Sequence, residues 1–187
     1  MTLICEQTAL PEVRLLTPDV FRDRRGFFLE TYSQRRYGAL GIEKTFVQDN
    51  YSHSVRGTVR GLHYQRRRPQ AKLIGVLWGT IYDVAVDLRR GSPTWGRWVG
   101  QVLSEENRCQ LYIPEGFAHG FAVLSESADV LYKCTDYYDP ADDLGVRWSD
   151  PRIGVSWPVA EPLLSDKDSG LPLLRDIPPE RLPGPCR

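Results

Sequence analysis

The chain has 187 residues, with 24 basic and 24 acidic side chains and a formal net charge of zero. That length suits one domain with a sizeable core, and the balanced charge leaves no global field to draw in nucleic acid or a membrane surface. No stretch has the apolar length of a transmembrane helix, and the opening "MTLICEQTALPEV" lacks the basic and apolar regions of a secretory signal. The four cysteines, Cys5, Cys109, Cys134 and Cys186, are widely spread with no C-x-x-C spacing, which argues against a zinc knuckle or a redox pair. They read as free thiols in a reducing cytoplasm. Arg66, Arg67 and Arg68 form a compact basic cluster and read as a solvated loop.

Helical periodicity is scarce. Residues 33–40, "SQRRYGAL", predict one short helix with Ser33 as its N-cap. Strands are predicted in "RGFFLETY", "FVQDNYS", "GTVRGLHYQ", "KLIGVLWG", "TIYDVAVDL", "GRWVGQVLS", "RCQLYIP", "HGFAVLS" and "DVLYKCTDYY". Turn residues separate them, at Gly79, Gly91-Ser92-Pro93, Pro114-Glu115-Gly116 and Asp139-Pro140. Many short strands at such spacing imply an all-β antiparallel sandwich or barrel. From about residue 158 a Pro-rich segment reads as extended chain on the surface, disordered at its end.

Two strands carry charge in an apolar setting. Lys72 shares a face with Ile74, Val76 and Trp78, while Asp83, Ala85 and Asp87 alternate with Tyr82, Val84 and Val86. A small barrel with a polar lumen would produce this pattern; so would an ordinary surface strand, the commoner case. His63 stands inside the strand "RGLHYQ" and has the chemistry of a base near neutrality. Arg60 differs from it in strand parity, so a bulge or twist is needed to bring both inward.

The stretch "IPEGFAHGF" contains P-x-G-x-x-H, which resembles the second motif of the cupins, jelly-roll barrels in which this His reaches the barrel mouth. Many cupins hold a metal through an H-x-H pair as well. Here His63 is followed by Tyr64 and Gln65, so two histidines without a carboxylate at that spacing are too few for a metal site.

Six segments occur in the order found in the dTDP-4-dehydrorhamnose 3,5-epimerase family. They are "RDRRGFFLETY", "FVQDNYSHSVRGTVRGLHYQ", "QAKLIGVLWGTIYDVAVDLRRGSPTWG", "LSEENRCQLYIPEGFAHGFAVLS", "YKCTDYYDP" and "LSDKD". The likeness runs from about Pro11 to Asp168, with Thr58 where the family often has Val or Ile. The resemblance implies a dimeric cupin jelly roll, spanning 1–187, that epimerises a 4-keto-6-deoxyhexose on thymidine diphosphate without cofactor or metal. His63 would be the base, Asp168 its carboxylate partner, Lys72 the enolate stabiliser and Tyr132 the acid on the opposite face. Asp168, taken alone, reads as a helix or turn cap. Asp83 is a candidate ion-pair partner for Lys72. The resemblance assigns substrate contacts to Arg25, Phe28, Glu30, Gln48, Asn50, Arg60, His119, Tyr138, Asp143 and Lys167, part of them supplied by the partner subunit. Tyr137 and Tyr138 lie near enough to Tyr132 to compete for the acid's role. A single-centre epimerase of a related dTDP-sugar, a metal-dependent cupin oxygenase and a non-catalytic sugar-nucleotide binder remain alternatives.

Overall fold

The computed structural model describes residues 2–185. Thirteen strands are present: β1 (Leu3–Gln7), β2 (Arg14–Pro18), β3 (Phe21–Asp23), β4 (Gly26–Phe28), β5 (Gln48–Val55), β6 (Val59–Gln65), β7 (Lys72–Trp78), β8 (Thr80–Asp87), β9 (Trp98–Ser104), β10 (Gln110–Ile113), β11 (Phe117–Val123), β12 (Ser127–Cys134) and β13 (Asp143–Gly145). Two short helices join them, α1 (Gln34–Ala39) and α2 (Asp166–Ser169). The ladders between these strands are antiparallel, in a six-stranded sheet of order β1-β2-β10-β7-β12-β5 and a five-stranded sheet of order β13-β6-β11-β8-β9. This is the expected all-β jelly roll.

Three apolar layers hold it. Ile74, Val76, Ile81, Ala85, Leu111, Phe121 and Val130 meet between the sheets. Leu16, Tyr37, Ile42 and Leu73 pack α1 onto the outside of the six-stranded sheet. Leu62, Val84, Val86 and Ala118 face outward from the other sheet and are covered by Leu174, Ile177 and Leu182 of the Pro-rich tail. Each fully buried Val, Leu, Ile or Phe among them contributes about 1.5–3 kcal/mol. The central strands are therefore buried on both faces, which is why both alternations looked apolar in the sequence.

That double burial overturns the surface-strand reading of β8. Asp83 and Asp87 are both 0% exposed. Asp87 accepts hydrogen bonds from Arg89 Nη2 (2.8 Å), Ser92 Oγ (2.5 Å) and Thr94 Oγ1 (2.6 Å), and so ties down the β8–β9 loop. The helix over 33–40 forms, but Ser33 caps it with backbone alone and makes no side-chain cap bond. The strand expected over 25–32 shrinks to β4, hairpinned with β3 in a separate two-stranded sheet. Cys5, Cys109 and Cys134 are free thiols. Cys186 and the expected disorder at the chain end lie outside the described residues.

Burial alone would raise the Asp87 carboxyl, but the bonds from Arg89, Ser92 and Thr94 outweigh it and hold the group below its ordinary value. Asp87→Ala should cost about 3–5 kcal/mol in urea unfolding at neutral pH, because Arg89 loses its buried partner. A lowered folded-state value means that this stability is present above the unfolded carboxyl value of about 3.9 and fades as pH falls through the folded one. The gap between wild type and variant should therefore narrow in acid; a gap that widens there would contradict the assignment.

Candidate active site

The two sheets part at one end around a cavity of about 290 Å³. The five-stranded sheet supplies His63 and Arg60 from β6 and His119 from β11; the six-stranded sheet supplies Lys72 from β7, Tyr132 from β12, and Gln48 and Asn50 from β5. Asp143 of β13, Tyr138, and Ser165, Lys167 and Asp168 of the tail complete the lining.

The parity conflict between Arg60 and His63 is resolved by a bulge. His63 pairs with His119 and Arg60 with Phe121, so Gly61 and Leu62 together oppose the single residue Gly120. Gly61 has φ +121°, and a Cβ there would lie 2.5 Å from Gly120 Cα. Only glycine permits this approach, and the added residue turns both Arg60 and His63 into the cavity. Arg60 is aimed by Nε–H donation to Ser54 Oγ at 3.0 Å.

His63 Nε2 donates to Asp168 Oδ1 across 2.5 Å, a contact between residues 105 positions apart. Asp168 is 3% exposed. Burial pushes its carboxyl up, but the His63 bond and charge, Ser165 and Lys167 bring it below the ordinary value. It is therefore an anion at neutral pH. It is not the helix cap suggested by its local sequence: Ser165 is, accepting from Asp168 N at 3.1 Å. With Nε2 committed, His63 Nδ1 is the nitrogen left to take a proton.

On the facing sheet, burial drives Lys72 below the ordinary lysine value, against the pull of Cys134, Asp143 and Asp83. Among the described residues Lys72 makes no hydrogen bond or ion pair; its ammonium lies 6.0 Å from the Tyr132 ring centroid. The expected Lys72–Asp83 ion pair is absent. Asp83 Oδ2 instead accepts from His119 Nε2 at 2.9 Å, while its Oδ1 is buried with no partner among the described residues. Burial keeps His119 below the usual histidine range despite Asp83, so the ring is neutral. Burial likewise raises the Tyr132 phenol, which stays protonated.

At the rim, Asp143 Oδ2 accepts from Tyr138 at 2.8 Å and from Lys167. Gln48 Oε1 accepts from Tyr138 N at 2.9 Å, and Gln48 donates to Asn50. Eleven of the fourteen expected positions thus line one cavity: His63, Tyr132, Asp168, Lys72, Gln48, Asn50, Arg60, His119, Tyr138, Asp143 and Lys167. Arg25, Phe28 and Glu30 do not. Arg25 is bonded to Asp23 beside the hairpin turn, Phe28 is 59% exposed, and Glu30 pairs with Arg36. Arg25 and Phe28 belong to the β3–β4 hairpin, which forms its own two-stranded sheet, and Glu30 lies in the segment between β4 and α1.

Gln65, Gln70, Ser52 and Ser165 line the cavity without having been expected. Gln65 was within reach of sequence reasoning, since it shares a strand face with His63. Ser165 heads S-x-x-D, the spacing of a helix start. Among the described residues no group of three or more His, Cys, Asp or Glu is placed to hold a metal. His63 and His119 each spend a ring nitrogen on a separate carboxylate.

Comparison with known proteins gives a consistent result. Residues 7–176 match the family model described as dTDP-4-dehydrorhamnose 3,5-epimerase. A dTDP-4-dehydrorhamnose 3,5-epimerase of Neisseria gonorrhoeae is 55% identical over 162 residues, covering 86% of this chain. The chain spans about half of that relative, 49% of its length. A protein of the same name from Pseudomonas aeruginosa is also 55% identical over 162 residues, with 86% of this chain and 90% of the relative covered. A crystal structure of a dTDP-6-deoxy-D-glucose-3,5-epimerase from Legionella pneumophila, in complex with dTDP-4-keto-L-rhamnose, superposes with a TM-score of 0.97. It is 47% identical, and 100% of each chain is covered.

The Lys72 environment is directly measurable. In ¹⁵N-lysine NMR, Lys72 Nζ should titrate below the ordinary lysine value of about 10.4, because burial penalises its charge. The sign is that the ammonium is present on the acid side and lost early as pH rises. A midpoint at or above the ordinary value would contradict the buried setting.

Proposed function

The chain belongs to the dTDP-4-dehydrorhamnose 3,5-epimerase family, and from that premise we propose that it inverts C3 and C5 of dTDP-4-dehydro-6-deoxy-D-glucose to give dTDP-4-dehydro-L-rhamnose. The observation that carries this reading is the division of the cavity. A histidine backed by a buried carboxylate stands on one sheet, and a protonated tyrosine beside a lysine with no ion pair among the described residues stands on the facing one.

The C4 ketone acidifies the C–H bonds at C3 and C5. His63 Nδ1 takes the proton from one face, and Asp168 steadies the ring and the imidazolium that forms. The Lys72 ammonium meets the negative charge as it moves onto the enolate oxygen. The Tyr132 phenol then protonates the carbon from the other face. Solvent restores the phenol and discharges His63, so the cycle is redox-neutral and consumes no cofactor. The same steps at the second carbon complete the conversion.

Arg60 and Lys167 supply cations for the diphosphate. Gln48, Asn50, Tyr138 and Asp143 contact the nucleotide, and His119 the sugar. Arg25, Phe28 and Glu30 reach the cavity of a second copy, so the working form is a homodimer. Support comes from the outer face of the six-stranded sheet, where Tyr51, Val55 and Leu77 are 60%, 53% and 45% exposed. Beside them a groove lined by Leu29, Leu73, Leu77, Cys109 and Leu131 adjoins the β3–β4 hairpin. Apolar surface of this kind calls for a partner. The enzyme is proposed to act in the cytoplasm on a soluble sugar nucleotide, without nucleic acid or membrane; no helix among the described residues is long and apolar enough to cross one.

Incubation with the 4-keto substrate in deuterated water tests the reading. Wild type should place deuterium at two carbons and invert both, read by NMR and mass spectrometry. Tyr132→Phe keeps the volume and removes the donor, so deuterium should still enter while inverted product falls by about 10²-fold or more. Inversion at only one carbon would leave a single-centre epimerase, and normal turnover by the phenylalanine variant would remove Tyr132 from the chemistry.

A further inference from the structure

The carboxylate opposite His63 arrives on a strap of chain far from the barrel in sequence, and something must hold that strap in register. α2 has four residues, too few to be stable alone. It meets β6, where Asp168 bonds His63, and through Lys167 it meets β13. This strand pairs with β6 so that Gly145 lies directly opposite His63. Asp143, Gly145 and Arg147 alternate along the chain and present one side to the strap.

Each of the three meets it. Asp143 pairs with Lys167, one residue before Asp168. Gly145 leaves the space in which Leu171 lies: a Cβ there would stand 2.8 Å from Leu171 Cδ1 and 2.7 Å from Leu62 O. Arg147 Nε donates to Leu171 O at 3.1 Å and its backbone N to Pro172 O at 2.8 Å, just after Asp168. Leu171 N in turn donates to Asp168 O at 3.4 Å, so the arginine's grip is passed back to the carboxylate-bearing residue.

We propose that Arg147 is a positioning residue for the His63–Asp168 pair. β13 fixes His63 through its ladder, and Arg147, two residues past its end, fixes Asp168 through the strap, so one short segment sets both sides of the hydrogen bond. Asp143 and Lys167 hold the near side of the strap and also face the cavity; Arg147 holds the far side and does not line it. Its loss should therefore loosen Asp168 without removing a substrate contact. The inference rests on the functional reading above only where turnover is measured.

Two readouts test it. In ¹⁵N-histidine NMR the His63 Nε2–H should appear as a downfield, solvent-protected proton, identified by its loss in His63→Gln. Arg147→Met should broaden or abolish it, and an intact resonance would overturn the proposal. In turnover, Arg147→Met should lower kcat on the order of ten- to a hundredfold, the scale of a misplaced catalytic group. KM should change by less than about twofold, since no uniform binding is lost. In an Asp168→Ala background the same substitution should cost less than about twofold, because the pair it serves is already gone. An equal cost in both backgrounds would assign Arg147 to general stability and overturn the proposal. Should the methionine variant not fold, Arg147→Gln enters both arms with the same expected results. The NMR arm reads the hydrogen bond whatever reaction the cavity performs. Loss of the resonance in the variant supports the inference even if wild type fails to epimerise the sugar.

Discussion

The hydrogen bond between His63 and Asp168 is the constraint around which the remaining structure is arranged. In the proposed mechanism His63 is a base that needs its ring fixed and its imidazolium stabilised, and the carboxylate it bonds is 105 residues away in the sequence. Bringing it there requires the tail to cross the outside of the five-stranded sheet. Val146 and Ile153 before Asp168, and Leu174, Ile177 and Leu182 after it, are buried in one cluster with that sheet and hold the chain on both sides of the carboxylate. Placing Arg60 in the same cavity requires β6 to change parity within a few residues, which the Gly61–Gly120 contact allows. Neither the apolar tail contacts nor the bulge residues line the cavity, yet each decides where a side chain that does line it sits.

The electrostatics of the cavity follow from which sheet each group stands on. The five-stranded side holds two histidine–carboxylate pairs, one partly open at His63 and one sealed at His119. The six-stranded side holds a lysine whose charge burial disfavours and a phenol that burial keeps protonated. An enolate between them would meet a cation in need of a counter-charge on one side. Its carbon would lie between a base and an acid. Such differences in environment let two neutral-pH proton carriers take opposite roles.

Much of this was legible in the sequence, though unevenly. The strands with clear apolar runs, β5 to β12, were foreseen. Strands β1, β2, β3 and β13 were not, because segments such as "FRD" and "DLG" carry no alternation to read and are set by pairing alone. The charged face of β8 was ambiguous because buried and solvated aspartates look alike in a strand; only the covering tail decides between them. The parity clash at Arg60 and His63 did announce a bulge, and the glycines mark its place. Asp168 could not be linked to His63 from local pattern, since its own neighbourhood reads as a helix start. Asp83 was given the wrong partner, since His119 lies directly across the ladder from Ala85 and reaches it first. Arg25, Phe28 and Glu30 match the family's motifs but do not line the cavity of this chain.

The most direct measurement is the turnover of Asp168→Asn beside its affinity for dTDP. Asparagine keeps the shape and removes the charge that holds the His63 ring and its imidazolium. Turnover should fall on the order of 10²–10⁴-fold while calorimetry gives dTDP affinity close to wild type and the melting temperature stays near its original value. Wild-type turnover in that variant would contradict the account, because the carboxylate carried by the tail would then have no part in the chemistry.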